Sequence, residues 1–307
     1  MNRSINPPCV IFAFNRPAFL KRVLGSLKDQ GVKNLFIFVD APRHASEQIK
    51  VEACHSIAKN IGWADTKTTF HDQHKGFVGI IENIREVFRD YEEAIFLEDD
   101  CFPMPGFFGF MREALARYGP YENVFSIGGY QPVSKTFFKN HPYSLVVSPR
   151  FMCWGWATWK HQWRQMDSIL PDFPTMFDGL KGLGNIAGSD LPPMACACAT
   201  GKAFSWAVPV SVAMLWLEKF QLLPIAGLVK NIGMGTGTHR KKGVASIWWR
   251  RWLQRRNLYT GKMQNPSWPN RIGLDDDYAD RYRSFVDTIN LPLRQQLRQF
   301  LREEWKY

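Results

Sequence analysis

The chain predicts an α/β fold, with a mostly parallel central sheet and helices on both faces, and three observations carry that prediction. Short apolar or β-branched runs recur at 9–14 (CVIFAF), 35–40 (LFIFVD), 66–70 (TKTTF), 94–98 (AIFLE) and 124–127 (VFSI), the lengths and compositions of buried strands. Between them lie stretches with apolar residues at helical spacing, and strand–helix alternation at this rhythm calls for right-handed crossovers within one sheet. Two of the runs end in acids, Asp40 and Glu98-Asp99-Asp100, at the carboxyl ends of strands, where open sheets of this kind bind ligands.

Taken in order, the first helix is PAFLKRVLGSLKDQG. Its apolar stripe is Phe19, Leu20, Val23, Leu24 and Leu27, with Pro17 in the first turn and Gly31 at its end. The second, SEQIKVEACHSIAKNIG, opens on a Ser46 cap and closes on Gly62. The third, VGIIENIREVFRDY, repeats the stripe through Ile80, Ile81, Ile84, Val87 and Phe88. Beyond about residue 130 the alternation dissolves into loops, a Trp-rich segment and the Gly-rich NIGMGTGTH. Residues 1–245 read as one domain in two halves, 1–130 and 131–245, and 246–307 as a basic, aromatic, helical extension. That extension contains SIWWRRWLQRR, a helix start at Asp275-Asp276-Asp277 and a terminal amphipathic pattern, LPLRQQLRQFLREEW.

The bounds are those of an ordinary folded protein. Its 307 residues at 45% hydrophobic content suffice for a sizeable core. A net charge of +11 favours anionic partners without identifying one. The six cysteines are scattered, and the spacing of Cys196 and Cys198 is not that of a zinc site, so reduced thiols in a cytoplasmic protein are expected. The N-terminus has no signal-peptide pattern. The longest apolar stretch, AFSWAVPVSVAMLWL, is 15 residues with Pro209 inside, too short for a membrane span.

Crowded carboxylates at a strand end raise one another's pKa unless a cation intervenes, and oxygen ligands select a hard ion, Mg²⁺ or Mn²⁺, that also binds phosphates. The alternative is one helix-capping acid beside solvated ones. At the first strand end, FAFNRP matches neither a dinucleotide fingerprint nor a P-loop. The indoles of CWGWATW can stack on sugar faces or fill a core.

The ordered set FNRP, FVDAPR, HKG, IFLEDDC, SIGGY, SPRFMCWGWATWKHQW and LVKNIGMGTGTH, over residues 8 to 240, resembles the GT-A glycosyltransferases related to N-acetylglucosaminyltransferase I, especially their bacterial sugar-transferase relatives. The resemblance implies a nucleotide-diphospho-sugar donor, uridine-linked in the first instance, and Mn²⁺ or Mg²⁺ as cofactor. It makes Asp100 the metal ligand and sets Glu98 and Asp99 beside the donor ribose and sugar. Asp40 would meet the nucleotide base, or else cap a helix. Phe14, Asn15 and Arg16 would lie under the nucleotide, with Lys75 and Gly76 in its wall. Gly155 and Trp156 would line the donor–acceptor cleft. The Gly-rich loop would bring His239 to the diphosphate or the metal, with Arg240, Lys241 and Lys242 following.

The departure lies in the second half. Where the family carries a catalytic aspartate around a Trp, this chain reads KAFSWAVPV, with Phe204 and Ala207 in place of acids. Asp190 is the substitute base, Asp167 and Asp172 are further options, and loss of activity is the third explanation. The expectation is therefore an inverting hexosyl- or N-acetylhexosaminyl-transferase acting on a hydroxyl of a glycan, glycolipid or glycoprotein. The rivals are a nucleotidyltransferase and a sugar-binding scaffold. Residues 246–256 offer a peripheral contact with the inner membrane face, and no nucleic-acid partner is expected.

Overall fold

The structure, a computed structural model, describes residues 6–179, 184–234, 257–258, 266–270, 272–273 and 276–290. The first half follows the predicted alternation: β1 (Cys9–Ala13), α1 (Pro17–Asp29), β2 (Asn34–Val39), α2 (Gln48–Lys59), β3 (Asp65–Phe70), α3 (Gly76–Asp90) and β4 (Glu93–Glu98). Then come β5 (Cys101–Pro103), α4 (Phe107–Tyr118) and β6 (Val124–Gly128). The second half is more regular than expected. It holds β7 (Leu145–Ser148), β8 (Trp156–Trp159), α5 (Lys160–Ile169), α6 (Phe173–Gly179), α7 (Gly184–Ala187), α8 (Leu191–Ala199), α9 (Ala207–Trp216), β9 (Phe220–Pro224) and β10 (Val229–Asn231). A last helix, α10 (Asp276–Asn290), starts within the acidic triplet the sequence marked.

Eight strands form one sheet in the order β3-β2-β1-β4-β8-β6-β9-β7. The pairs β2/β3, β1/β2, β1/β4 and β6/β9 are parallel, whereas β8 enters antiparallel between β4 and β6, and β7 antiparallel at the edge. The expected class, an α/β sheet covered on both faces, is the one observed. Alternation along the strands divides the core in two. Cys9, Ile11, Leu35, Ile37, Ile95 and Leu97 meet α1, α2 and α4 on one face. Val10, Phe12, Phe36, Phe38 and Phe96 meet α3, α5, α8 and α9 on the other. Strands buried on both sides need continuous apolar runs, which explains why these segments lack an amphipathic pattern.

The parallel register sets the functional rim. Ala13 is level with Val39, and Phe12 with Glu98, so the residues just past β1, β2 and β4 share one edge. The backbone N–H of Asp40 donates to the Ala13 carbonyl and that of Asp99 to the Phe12 carbonyl, each at 3.0 Å, which carries the pairing one residue past the strands.

Two expectations are corrected. Of the two residues expected in the cleft, Trp156 begins β8 and is 1% exposed, packed in the core among Phe96, Phe125, Phe151, Trp163 and Trp206. Gly155 is buried beside it with φ +68°, and a Cβ there would stand 2.6 Å from Val229 Cγ2. Only glycine fits both the left-handed backbone and that approach. The physical reason for Trp156 is that β8 is a central strand, so each of its faces belongs to the core; Gly155, just before it, is closed in by Val229, Leu97 and Phe107.

Candidate active site

The acidic rim is built at the end of β4. Asp99 is fully buried and Asp100 is 5% exposed. Asp99 Oδ2 accepts the Phe14 backbone N–H at 3.1 Å. The Arg16 guanidinium, at the entrance to α1, spans both acids, Nη2 on Asp99 Oδ1 and Nη1 on Asp100 Oδ2. Glu98 points to the other side, where the Trp206 side chain hydrogen-bonds it. Trp156 packs behind Trp206, their ring centroids 5.8 Å apart.

Burial, then the neighbouring Asp100, pushes the Glu98 carboxyl up to about 8 against the pull of Arg16. Burial also raises Asp99, to about 6, although Arg16 opposes it. Burial works against the Arg16 charge, but Asp99 and Asp100 outweigh it and hold the guanidinium above its ordinary value. Burial, and then the negative charge of the neighbouring acids, pushes the Cys101 and Cys153 thiols well above the usual range, so neither is an activated nucleophile.

The chain returns onto this rim from far along the sequence. β10 pairs antiparallel with β5, and the Ile232 N–H donates to the Asp100 carbonyl at 2.8 Å. Gly233 then lies against the carboxylate, so close that a Cβ would stand 2.3 Å from Asp100 Oδ2. Thus the Gly-rich segment does start at the acids. His239, with Arg240, Lys241 and Lys242, lies outside the described residues.

The second acidic feature, Asp40, takes a different part. Its carboxylate accepts the backbone N–H groups of Lys75 at 2.9 Å and Gly76 at 2.8 Å, and so closes the N-terminus of α3 from outside that helix. Gly76 has φ +54°, a left-handed turn that presents its N–H to the acid. His74 Nδ1 is 2.9 Å from Asp40 Oδ2 and 3.0 Å from the Ala41 carbonyl; with acceptors on both sides, that nitrogen carries the proton. His71 Nδ1 approaches Asp40 at 3.3 Å, and its Nε2 meets Asn83 Oδ1 at 3.1 Å. The Lys75 ammonium turns away to Glu82 at 2.7 Å.

Between the two features, the Phe14 ring lies 5.2 Å from His74 and 5.1 Å from the Arg43 guanidinium. Asn15 Nδ2 donates to Glu47 Oε1 at 2.9 Å, and hydrogen bonding from Arg43 holds Glu47 down at about 2. Phe14, Asn15, Arg16, Asp40, Lys75, Gly76, Glu98, Asp99 and Asp100 are thereby brought to one rim. Asp190 is held by Arg150, itself 7% exposed, which meets both its carboxylate oxygens at 3.3 Å and also binds the Ala187 carbonyl. Sequence reasoning missed His71, His74, Glu47 and Trp206. The first two were visible as the outer pair of HDQH (71–74), but their convergence on Asp40 needs the β2–β3 register.

The rim suits a hard cation. The Asp99 and Asp100 carboxylates face one guanidinium, an all-oxygen donor set short of positive charge. No group of three or more His, Cys, Asp or Glu residues poised for a metal occurs among the described residues, so an ion at Asp100 would need oxygens from substrate phosphates and water, as Mg²⁺-type sites commonly do.

No protein-family model and no curated protein matches the sequence. Solved structures do. The mannosyltransferase PcManGT from Pyrobaculum calidifontis, in complex with GDP-Man and Mn²⁺, is 13% identical over 70% of this chain and 75% of its own, with a TM-score of 0.36. S. aureus TarS 1–349 is 12% identical over 52% of this chain and 49% of its own, at 0.35. GalNAc-T7 with UDP, GalNAc and Mn²⁺ is 9% identical over 73% of this chain and 43% of its own, at 0.44. At this level the likeness is one of chain path, and the chemistry has to come from the site.

Proposed function

We propose that the chain is a GT-A glycosyltransferase, which transfers a sugar from a nucleotide-diphospho-sugar to a hydroxyl of a glycan, glycolipid or glycoprotein. The observation that carries this reading is the rim itself. Buried Asp99 and Asp100 end β4 beneath Gly233, level with Phe14 and Asp40, where an open sheet receives its ligand.

In this reading Asp100 holds Mn²⁺ or Mg²⁺, whose charge, when bound, offsets that of the departing diphosphate. Phe14 and His74 flank the nucleotide, taken as uridine-linked. Asp40 fixes the start of α3 as one wall, and Glu98 and Asp99 lie beside the ribose and sugar. His239 belongs to the flap that covers the donor and excludes water. The acceptor hydroxyl attacks the anomeric carbon from the opposite side, with inversion. Asp190, the base proposed from the sequence, is engaged by Arg150; it serves only if that pair opens. Without a positioned base the rate falls by about 10²- to 10⁴-fold.

One observation favours a second reading, a sugar-binding scaffold: at KAFSWAVPV the structure has Phe204 72% exposed and α9 beginning at Ala207, with no carboxylate between them. Thermal shift with nucleotide-sugars tests both. A donor at about 100 times its Kd with Mn²⁺ should add roughly 2.7 kcal/mol, and Asp100→Asn should lose that gain. Donor binding with no sugar transfer to any acceptor would select the scaffold. Pyrophosphate release from a nucleoside triphosphate and a sugar phosphate would select nucleotidyl transfer. No helix among the described residues is long and apolar enough to cross a membrane. A peripheral contact through 246–256, outside the described residues, is tested by liposome sedimentation before and after removal of 246–307.

A further inference from the structure

Arg16 holds a position that the donor-binding reading alone does not explain. It stands at the N-cap of α1, where its carbonyl accepts the N–H groups of Phe19 and Leu20 at 3.0 Å each, so its backbone is anchored. From there the guanidinium reaches across to Asp99 and Asp100 at once, with side-chain exposures of 27% for the arginine against 0% and 7% for the acids. The Asp100 oxygen it grips, Oδ2, is the one Gly233 lies against, while Oδ1 meets the Cys101 thiol at 3.8 Å. A cation fixed on the carboxylate that is to ligate a divalent ion repels that ion at close range, in a setting where solvent screens little. The same planar fork is also the group best shaped to take a phosphate.

We propose that Arg16 is a built-in counter-cation of the acidic rim: in the empty protein it neutralises Asp99 and Asp100 and keeps divalent-ion affinity low, and an anionic diphosphate, by drawing the guanidinium to itself, raises that affinity. Metal and nucleotide then bind with positive coupling, and the protein carries little free metal at Asp100 before a nucleotide arrives. This inference rests on the reading of Asp100 as the metal ligand.

The test is a Mn²⁺ titration of the full-length chain, followed by the electron paramagnetic resonance signal of the free ion, with and without UDP or GDP and referenced to each nucleotide alone. Wild type should bind Mn²⁺ weakly alone and more tightly with a nucleotide. Arg16→Met and Arg16→Gln should bind Mn²⁺ at least about tenfold more tightly without nucleotide, and gain less from adding one. Arg16→Lys, whose ammonium reaches one acid at a time, should tighten about threefold, and it decides the matter should both neutral variants fail to fold. Folded Arg16 variants that bind Mn²⁺ no more tightly than wild type would overturn the inference and leave the arginine a mere strut. Asp100→Asn separates the two levels. If it abolishes Mn²⁺ binding while the Arg16 variants change nothing, only the counter-cation fails; if it leaves Mn²⁺ binding intact, the ion lies elsewhere and the metal site itself fails with it.

Discussion

At the residue scale, the three acids of the rim differ because their surroundings do. Glu98 faces Trp206 away from the guanidinium and is raised to about 8, whereas Asp99, in contact with Arg16, reaches only about 6. The consequence for stability has a definite sign. Between about 4.5 and 8 the folded chain keeps a proton on Glu98 that the unfolded chain has lost, so this group weakens the metal-free fold as pH rises through that window. Glu98→Gln has no such proton. Urea midpoints of the metal-free proteins should therefore show wild type losing ground to the variant from pH 5 to pH 8, and a constant gap would mean that Glu98 is ionised in the native state. Gly155→Ala meets both a positive φ and a Val229 methyl 2.6 Å away, and should cost about 2–3 kcal/mol in the same assay. Trp156→Ala removes a fully buried indole, at about 3–5 kcal/mol. A normal denaturation midpoint with weakened donor binding would restore Trp156 to the cleft. The sequence could not separate these roles, since a Trp-Gly-Trp triplet looks the same on a cleft wall and in a core strand.

At the element scale, α3 depends on a residue from another part of the chain. Lys75, at its N-cap, makes no side-chain capping bond, and the first donors of the helix are met by Asp40 from the end of β2. Asp40→Ala should cost about 1 kcal/mol, the usual worth of a cap. Hydrogen exchange should show the loss concentrated in the first turn of α3, while uniform deprotection would argue against capping. Most elements of the first half were legible because each is continuous: α1 and α3 show their stripes, and β1, β2 and β4 are apolar runs, whereas the three-residue β5 and the following α4 were not marked. The elements of the second half were not. β7 and β9 are four and five residues long, and α9 is apolar all round because it is enclosed, so no period marks its buried face.

At the scale of the whole molecule, the C-terminal pieces are fastened to the sheet domain. Tyr278, Tyr282 and Val286 of α10 pack with Phe138, Val146 and Leu223 into a third apolar cluster. Ser189 donates to Asp287. Further back, Trp268 stacks on Phe110 at 5.7 Å and the Tyr118 hydroxyl donates to the Pro269 carbonyl at 3.0 Å. Tyr282→Ala should thus lower global stability by about 3 kcal/mol, read as a shift in urea midpoint; an unchanged midpoint would show that α10 adds nothing to the fold.

By itself the sequence determined the α/β class, five of the six strands and three of the four α-helices of the first half, and the placing of Asp40 and Glu98-Asp99-Asp100 on one rim, since local periodicity and parallel topology suffice for those; β5 and α4 were not marked. Tertiary structure alone decided what each acid touches. Arg16 on Asp99 and Asp100, Asp40 on α3, Gly233 over Asp100 and Arg150 on Asp190 all join residues at least 35 positions apart, and contacts of that range are set by strand order and register rather than by any pattern along the chain.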